Sequence, residues 1–192
     1  MRKVLSVFMV LMLTGLVVGC APKVANDYSA ESVTRFAGKT QNAKLYSSGG
    51  NWRVETESFG KKGIMIVRLD KKVSWMLMPE QKMYIEQKLK PDMLMGKTAK
   101  MPGEIERKKL GQEKVNGILC DKYQVIFKVN EKSEPTSVFQ WVSKDQIPMK
   151  SSSVDGSWSS ELKNIKRGKQ PAKLFDLPAG YKKLSLPGNI FK

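Results

Sequence analysis

The residue type that most clearly carries chemistry is the cysteine at position 20, at the end of an apolar N-terminal run. The basic start Met1-Arg2-Lys3 precedes an uncharged stretch over residues 4–18, and the small residue Gly19 stands directly before Cys20. This order is typical of a bacterial lipoprotein signal that a peptidase cleaves before the cysteine. We therefore predict that residues 1–19 are removed. The Cys20 thiol would then take a diacylglycerol thioether, and its freed amine a further acyl chain such as palmitate.

Two other interpretations of this segment are a secretory peptide with a chance cysteine after its cleavage site, and a short membrane helix. The helix is disfavoured because about 15 apolar residues fall short of the ~20 that a bilayer span needs. One acyl chain binds a membrane only marginally, whereas two or three hold a protein there stably. The lipoprotein interpretation therefore also predicts a permanent membrane anchor.

Catalytic residue types are scarce in the rest of the chain. The sequence has no histidine, which removes Ser-His-Asp and Cys-His catalysis, histidine-based zinc sites and the commonest general base near neutral pH. Cys120 is the only cysteine besides Cys20 and lies in an apolar run, so a small buried hydrophobe is favoured over a redox site. One thiol cannot build a zinc knuckle. We expect no enzymatic activity, no catalytic residues and no metal site.

Positive charge dominates the composition. The chain has 34 Lys and Arg against 18 Asp and Glu, a net charge of +16, which becomes +14 once Arg2 and Lys3 leave with residues 1–19. Such a charge favours an anionic membrane face or an acidic partner, or serves solubility alone. Nucleic acid is not expected, because the basic residues lack regularly interleaved exposed aromatic residues.

Strands must position whatever site the chain has. After a lipidated tether at residues 20–27, residues 28–192 fall into short apolar runs separated by Gly, Asn, Asp and Pro, which is a β-sheet pattern. Asn116-Gly117 is a strong two-residue hairpin signal. We predict a mainly β domain: one large, curved, unclosed antiparallel sheet of about ten strands. The tail from Gly168 onward is predicted to be mostly irregular.

One Met-rich insert interrupts the strands between Lys90 and Gly103 and is predicted to be short and helical or irregular. In Ile64–Val67 and Trp75–Met78 both alternating sets of side chains are apolar, so something must cover the second face of the sheet. The insert is the nearest cover. It either completes the core or forms a lid over a lipophilic cavity, where pliable methionine side chains adapt to ligands of varied shape.

The ordered motifs of the chain resemble the LolA/LolB-like lipoprotein-sorting and carrier family, and especially an uncharacterised lipoprotein branch of it. The likeness extends from Tyr28 to Tyr181. It rests on Trp52-Arg53-Val54-Glu55, Arg68-Leu69-Asp70, Trp75, Met78-Pro79, Tyr84, Gly117, Cys120, Tyr123, Trp141, Ile147-Pro148-Met149-Lys150, Phe175, Pro178, Gly180 and Tyr181. The resemblance implies a half-barrel whose concave apolar face accepts acyl chains or a lipidated partner, without catalytic residues.

Two functional hypotheses follow from these features. The first is a membrane-anchored carrier or sensor of lipid or lipoprotein acyl chains. Its cavity would be lined or gated by Trp75, Tyr84, Met93, Leu94 and Met95. The alternative is a structural or interaction module of the envelope that binds an anionic membrane surface or an acidic partner through its basic surface.

Position 21 bears on the location. An Asp there would be the usual inner-membrane retention signal in lipoproteins of the kind that the chain resembles, and Ala21 stands there instead. We therefore expect the periplasmic face of the outer membrane.

Two departures from the family pattern bear on the cavity. Only about seven residues separate Cys20 from the first predicted strand, so we expect no counterpart of the N-terminal helix that helps to cover the cavity in those carriers. The single Met-rich insert would have to cover it alone.

Overall fold

The structure is a computed structural model that describes residues 27–58, 60–94 and 97–185. Cys20, the leader segment, the tether up to residue 26 and Met95 lie outside the described residues. Twelve strands and two 3-10 helices make up the described part of the chain. In chain order they are β1 (Tyr28–Phe36), β2 (Lys39–Ser48), β3 (Asn51–Ser58), β4 (Lys61–Arg68), β5 (Val73–Met78), β6 (Met83–Lys88), the first 3-10 helix (Pro91–Leu94), β7 (Glu104–Val115), β8 (Ile118–Phe127), β9 (Thr136–Ser143), β10 (Pro148–Ser153), β11 (Trp158–Arg167), the second 3-10 helix (Ala172–Phe175) and β12 (Lys182–Lys183).

All twelve strands form one sheet with the order β12-β6-β5-β4-β3-β2-β1-β11-β10-β9-β8-β7. The predicted fold class is confirmed: the protein is mainly β, with a single unclosed sheet and almost no helix. The twelfth strand lies in the tail for which the sequence predicts irregular structure, and it pairs in parallel with β6. Because β12 has only two residues, it shows no strand periodicity in the sequence. It can be recognised as a strand only through its pairing with β6.

Tight turns connect neighbouring strands, as the sequence indicates. Between β7 and β8, Asn116 and Gly117 both have positive φ, 48° and 80°. That pair of angles is what a two-residue hairpin turn of the favoured twist requires, and Asn and Gly reach it at little cost. The strands on either side therefore pair in a fixed register, with Val115 opposite Ile118.

The connection from β6 to β7 is longer and joins strands that lie at opposite ends of the antiparallel order. Ten strand spacings in a flat sheet would separate them by about 48 Å. The connecting segment Leu89–Gly103 has 15 residues, which reach about 50 Å only when fully extended, and it contains a compact 3-10 turn. The sheet must therefore be rolled, with this segment crossing its inner face.

Direct contacts between distant strands confirm the roll. The side-chain Nδ2 of Asn116, at the tip of the β7–β8 hairpin, donates to the Leu162 carbonyl on β11 at 2.8 Å, although β9 and β10 lie between them in the sheet. Around this contact a buried cluster joins side chains from both halves of the chain. It contains Tyr28, Ala30, Leu45, Val115, Cys120, Trp141, Ile147, Met149 and Leu162.

The outer face of β4–β6 is covered by the C-terminal segment, which corrects our expectation that the Met-rich insert covers the second apolar face. Ile66, Trp75 and Leu77 pack there against the buried Phe175 of the second 3-10 helix, together with Leu174, Leu177 and Tyr181. Proximity in sequence favours the insert as the cover. The segment that covers this face lies about 100 residues after Trp75 in the sequence. Strand periodicity cannot indicate a contact between segments so far apart.

Two arginines attach this C-terminal cover. Arg68 holds Asp70 through two hydrogen bonds of 2.8 and 2.7 Å and reaches the Phe175 carbonyl at 3.0 Å and the Asp176 carboxylate at 2.6 Å. Arg53 donates to the Leu174 carbonyl at 3.0 Å. Two motifs of the family resemblance, those beginning at Trp52 and at Arg68, thus have a structural role in this fold.

We expect Arg68→Ala to lower the free energy of unfolding by about 1–3 kcal/mol, because it leaves the Phe175 carbonyl without its donor. Hydrogen exchange should then quicken first in residues 170–185. Arg35→Ala is the matched control: its ion pair with Glu161 is 3.5 Å long and exposed, so the change should cost under about 1 kcal/mol. Equal losses from both variants would contradict this account of the C-terminal cover.

The same interaction predicts an acid dependence. Hydrogen bonds from Arg68 lower the pKa of Asp70 from 3.8 to about 2. A carboxyl group with a lowered pKa stabilises the fold above its unfolded value and loses that effect as pH falls through the folded one. The stability difference between the wild-type protein and Asp70→Asn should therefore be constant above pH 4 and vanish towards pH 2 in acid-unfolding curves.

Candidate functional site

The described parts of the connection between β6 and β7, residues 89–94 and 97–103, are here called the strap and lie along the inner face of the sheet. At its first end the Leu89 N–H donates to the Lys72 carbonyl at 3.0 Å, and the Ser74 hydroxyl on β5 contacts the Met93 sulfur at 3.2 Å. At its other end Gly103 has φ +69°, and a Cβ there would lie 2.1 Å from the Lys128 carbonyl oxygen. Only glycine fits this close approach.

A polar cluster fixes the second half of the strap to β7 and β9. The guanidinium of Arg107 donates to the Ala99 carbonyl at 2.7 Å, to the Gln140 side-chain oxygen at 2.9 Å and to the Glu104 carboxylate at 2.7 and 2.9 Å. Burial opposes the charge on Glu104, but hydrogen bonds from Arg107 and from the Met101 N–H outweigh it and lower the pKa of that carboxyl. The cluster holds the strap at a fixed place on the sheet.

Below the strap the inner face encloses a cavity of about 480 Å³, within the ~300–1,000 Å³ range of small-molecule sites. Most of its lining is apolar, with a set of hydroxyl groups from the central strands. The lining residues are Tyr28, Ser32, Thr34, Gln41, Ala43, Leu45, Val54, Thr56, Met65, Lys97, Met101, Phe127, Val138, Pro148, Ser151, Trp158, Ser160 and Leu162. They share one face because directly paired residues of an antiparallel sheet point to the same side.

The cavity has a buried end and an open end. Along β2 the lining residues change from buried Leu45 through partly buried Ala43 to exposed Gln41. On β1 the same gradient runs from buried Tyr28 to partly buried Thr34. Burial raises the pKa of Tyr28, and the Asp145 carboxylate adds to this effect, so the closed end carries no charge from this phenol at neutral pH.

Lys97 of the strap is the charged residue of this lining. Desolvation lowers the pKa of its ammonium group. Neither an ion pair nor a side-chain hydrogen bond joins it to any other residue in the described ranges. Our reading of the sequence missed this residue, because one lysine among 34 Lys and Arg carries no signal until the strap turns it towards the cavity.

The five residues predicted to line or gate the cavity fall into three groups. Trp75 and Tyr84 lie on the outer face in the cluster around Phe175, where the Trp75 indole donates to Glu86 at 2.9 Å, and neither is among the cavity lining. Met93 and Leu94 are partly buried on the strap, in its 3-10 helix. Met95 lies outside the described residues. Met93 and Leu94 are not among the cavity lining either. The two aromatic residues face away from the cavity, and a gating role of Met93 and Leu94 stays a prediction.

Other candidate sites have a structural explanation. Cys120 is buried, donates to the Ile118 carbonyl at 3.4 Å and has its pKa raised by desolvation, which is the environment of an unreactive core thiol. Within residues 27–58, 60–94 and 97–185 no group of three His, Cys, Asp or Glu is placed to hold a metal ion. The same residues contain no helix of the length and apolar character that a membrane crossing needs.

Comparison with known proteins agrees with this architecture. Residues 32–151 match the family described as a domain of unknown function, DUF4412, and the chain belongs to that family. No functionally curated protein matches it.

Among solved structures, the chain is similar to an uncharacterised conserved protein from Thermus thermophilus. The two are 11% identical with a TM-score of 0.56, over 83% of this chain and 90% of that one. It is also similar to MucB from the Pseudomonas aeruginosa MucA/MucB complex, at 12% identity and a TM-score of 0.52, over 84% of this chain and 59% of that one. The chain thus spans less than two thirds of MucB. The predicted resemblance to LolA/LolB-like half-barrels is confirmed as a likeness of fold.

The unpaired ammonium at the cavity predicts a stability effect. The pKa of Lys97 is lowered in the folded state. Below this folded-state pKa the positive charge of Lys97 destabilises the fold. The free energy of unfolding therefore rises as the pH increases from the folded-state pKa towards the ordinary value of 10.5. In ligand-free protein we expect Lys97→Met to unfold at the same or a higher temperature than wild type at pH 7. The difference should shrink by pH 10 in thermal melts. A variant that is clearly less stable at pH 7 would contradict the placement of Lys97.

Proposed function

We propose that this chain is a membrane-anchored envelope lipoprotein that binds an acyl chain of a lipid or lipoprotein below the strap, as a carrier or sensor without enzymatic activity. The observation that carries the proposal is the cavity of about 480 Å³ on the inner face, which is lined mostly by apolar side chains and bordered by Lys97 and Met101 of the strap. An acyl chain gains roughly 0.8 kcal/mol for each methylene it buries. About ten buried methylenes would offset much of the 4–15 kcal/mol that association is estimated to cost.

The comparisons support an envelope role without deciding the ligand. MucB, which has a similar fold, was solved in complex with MucA, so this fold is compatible with a protein partner as well as with a lipid. A lipidated protein would be both kinds of ligand at once, because its acyl chain could enter the cavity while its polypeptide contacts the rim. We place this chain in the LolA/LolB-like lipoprotein branch on the motifs given above.

Cys20 supplies the location in this proposal. With a diacylglycerol thioether and an N-acyl chain it would hold the domain at the periplasmic face of the outer membrane. The tether at residues 20–27 is short, so the domain would stay close to the bilayer from which an acyl ligand comes. Diffusion of a free ligand through water is then unnecessary.

Acyl binding is tested on the full chain with Cys20→Ser, so that no covalent lipid competes for the cavity. After delipidation we expect it to bind palmitate at micromolar concentration, measured by calorimetry and by native mass spectrometry. Ala43→Trp fills the cavity and should weaken binding at least tenfold, about 1.4 kcal/mol.

The matched control is Asn42→Trp, on the same strand but on the outer, exposed side, and it should leave affinity unchanged. Thermal melts show whether both variants fold. The proposal fails if wild-type protein takes up no fatty acid, phospholipid or acyl-peptide. It also fails if Ala43→Trp binds as well as Asn42→Trp does.

The anchor has a separate test. Expressed in a Gram-negative cell, the wild-type chain should fractionate with outer membranes and carry a mass increase of acylated cysteine at Cys20. Cys20→Ser should be released in soluble form, because its apolar leader alone is too short to span a bilayer. Membrane fractionation that is unchanged by Cys20→Ser would refute the lipid anchor and leave acyl binding to be judged on its own test.

A further inference from the structure

We propose that the cavity selects single-chain amphiphiles with a carboxylate head group, and that Lys97 binds this head group. The inference rests on the proposed acyl-binding function and narrows it to fatty acids and their like. Its elements are a lysine without a charged partner among the described residues, the absence of acidic side chains among the described lining residues, hydroxyl groups in the same lining and the size of the cavity.

The first element is the charge balance of the site. The described residues that line the cavity include Lys97 but neither Asp nor Glu. The acid of the polar cluster, Glu104, is already occupied by two bonds to Arg107 and by the Met101 N–H. An ammonium group at an apolar cavity without a counter-ion favours a ligand that brings an anion.

The second element is a line of hydroxyl groups across β1, β11 and β10. Thr34 donates to the Ser160 oxygen at 3.1 Å, and the Ser32 and Ser160 oxygens are 3.4 Å apart. Ser151 lies beside Ser160 in the register of β10 and β11. These hydroxyl groups can turn their hydrogens towards an oxyanion, because the hydrogen of a hydroxyl rotates to suit its partner. These hydroxyl groups can therefore form hydrogen bonds to a polar head group, which a purely apolar cavity could not do.

The third element decides between carboxylate and phosphate. The described lining supplies one lysine and no arginine for a bidentate contact, whereas a phosphate monoester carries about −1.5 to −2 charges near neutral pH. One ammonium group balances one carboxylate. The volume of about 480 Å³ lies in the lower half of the range for ligand sites, which favours one chain over the several chains of a complete membrane lipid.

The experiment compares three probes of equal chain length: palmitate, hexadecanol and hexadecyl phosphate. Each is titrated at pH 8 into the delipidated full chain carrying Cys20→Ser. The wild-type cavity should bind palmitate most tightly. Lys97→Met should lower the affinity for palmitate at least tenfold, about 1.4 kcal/mol, because the variant loses a charge-assisted hydrogen bond to the carboxylate. The affinity for hexadecanol should not change. Lys97→Arg should restore palmitate binding.

The matched control is Lys100→Met, which removes an exposed lysine of the same strap that does not line the cavity. It should leave the affinity for all three probes unchanged. An equal effect of Lys97→Met and Lys100→Met would show nonspecific attraction to the basic surface and overturn the proposal.

The remaining outcomes separate this inference from the function on which it rests. If palmitate and hexadecanol bind equally and neither responds to Lys97→Met, the head-group proposal is wrong and acyl binding stands. If hexadecyl phosphate binds more tightly than palmitate through Lys97, the site selects phosphate and the carboxylate assignment is overturned. If no probe binds, both proposals fail.

Discussion

The path of the chain from β6 to β7 governs the whole architecture. These strands lie at opposite ends of the antiparallel order, and 15 residues join them. Such a short segment can connect the two edges only across a rolled sheet, because a flat one would demand nearly full extension. One topological fact therefore produces the curvature, the strap over the inner face and the enclosed space between them.

The two faces of the sheet are covered in different ways, and this difference creates the candidate site. On the outer face the C-terminal segment packs apolar side chains directly onto β4–β6 around Phe175, and Arg53 and Arg68 satisfy its carbonyl groups. On the inner face the strap is attached near its ends, by Met93 at β5 and by the Arg107 cluster at β7 and β9. Lys97 and Met101 of the strap border the space between these attachments and the sheet, and that space is the cavity.

Much of the fold can be predicted from the residues, because turn chemistry and strand alternation are local. Asn116-Gly117 fixes a hairpin, and its angles are those that the dipeptide favours. The candidate site is less accessible to such reasoning. Trp75 comes from a stretch whose two faces are both apolar, so alternation shows that both faces are covered but not which one meets the cavity. The cover over Trp75 comes from Phe175, about 100 residues later, and no local pattern joins the two.

The chemistry expected of this protein follows from residue types and their local order: Cys20 in a predicted lipoprotein signal, no histidine and a strand-rich domain. The place where a ligand could bind depends instead on the folded chain. The cavity takes its walls from β1–β4 and β8–β11 and its charge from Lys97 on the strap, segments that meet only when the sheet rolls. The environment of Lys97 is likewise a property of the folded chain, since its desolvation arises from packing between residues far apart in sequence.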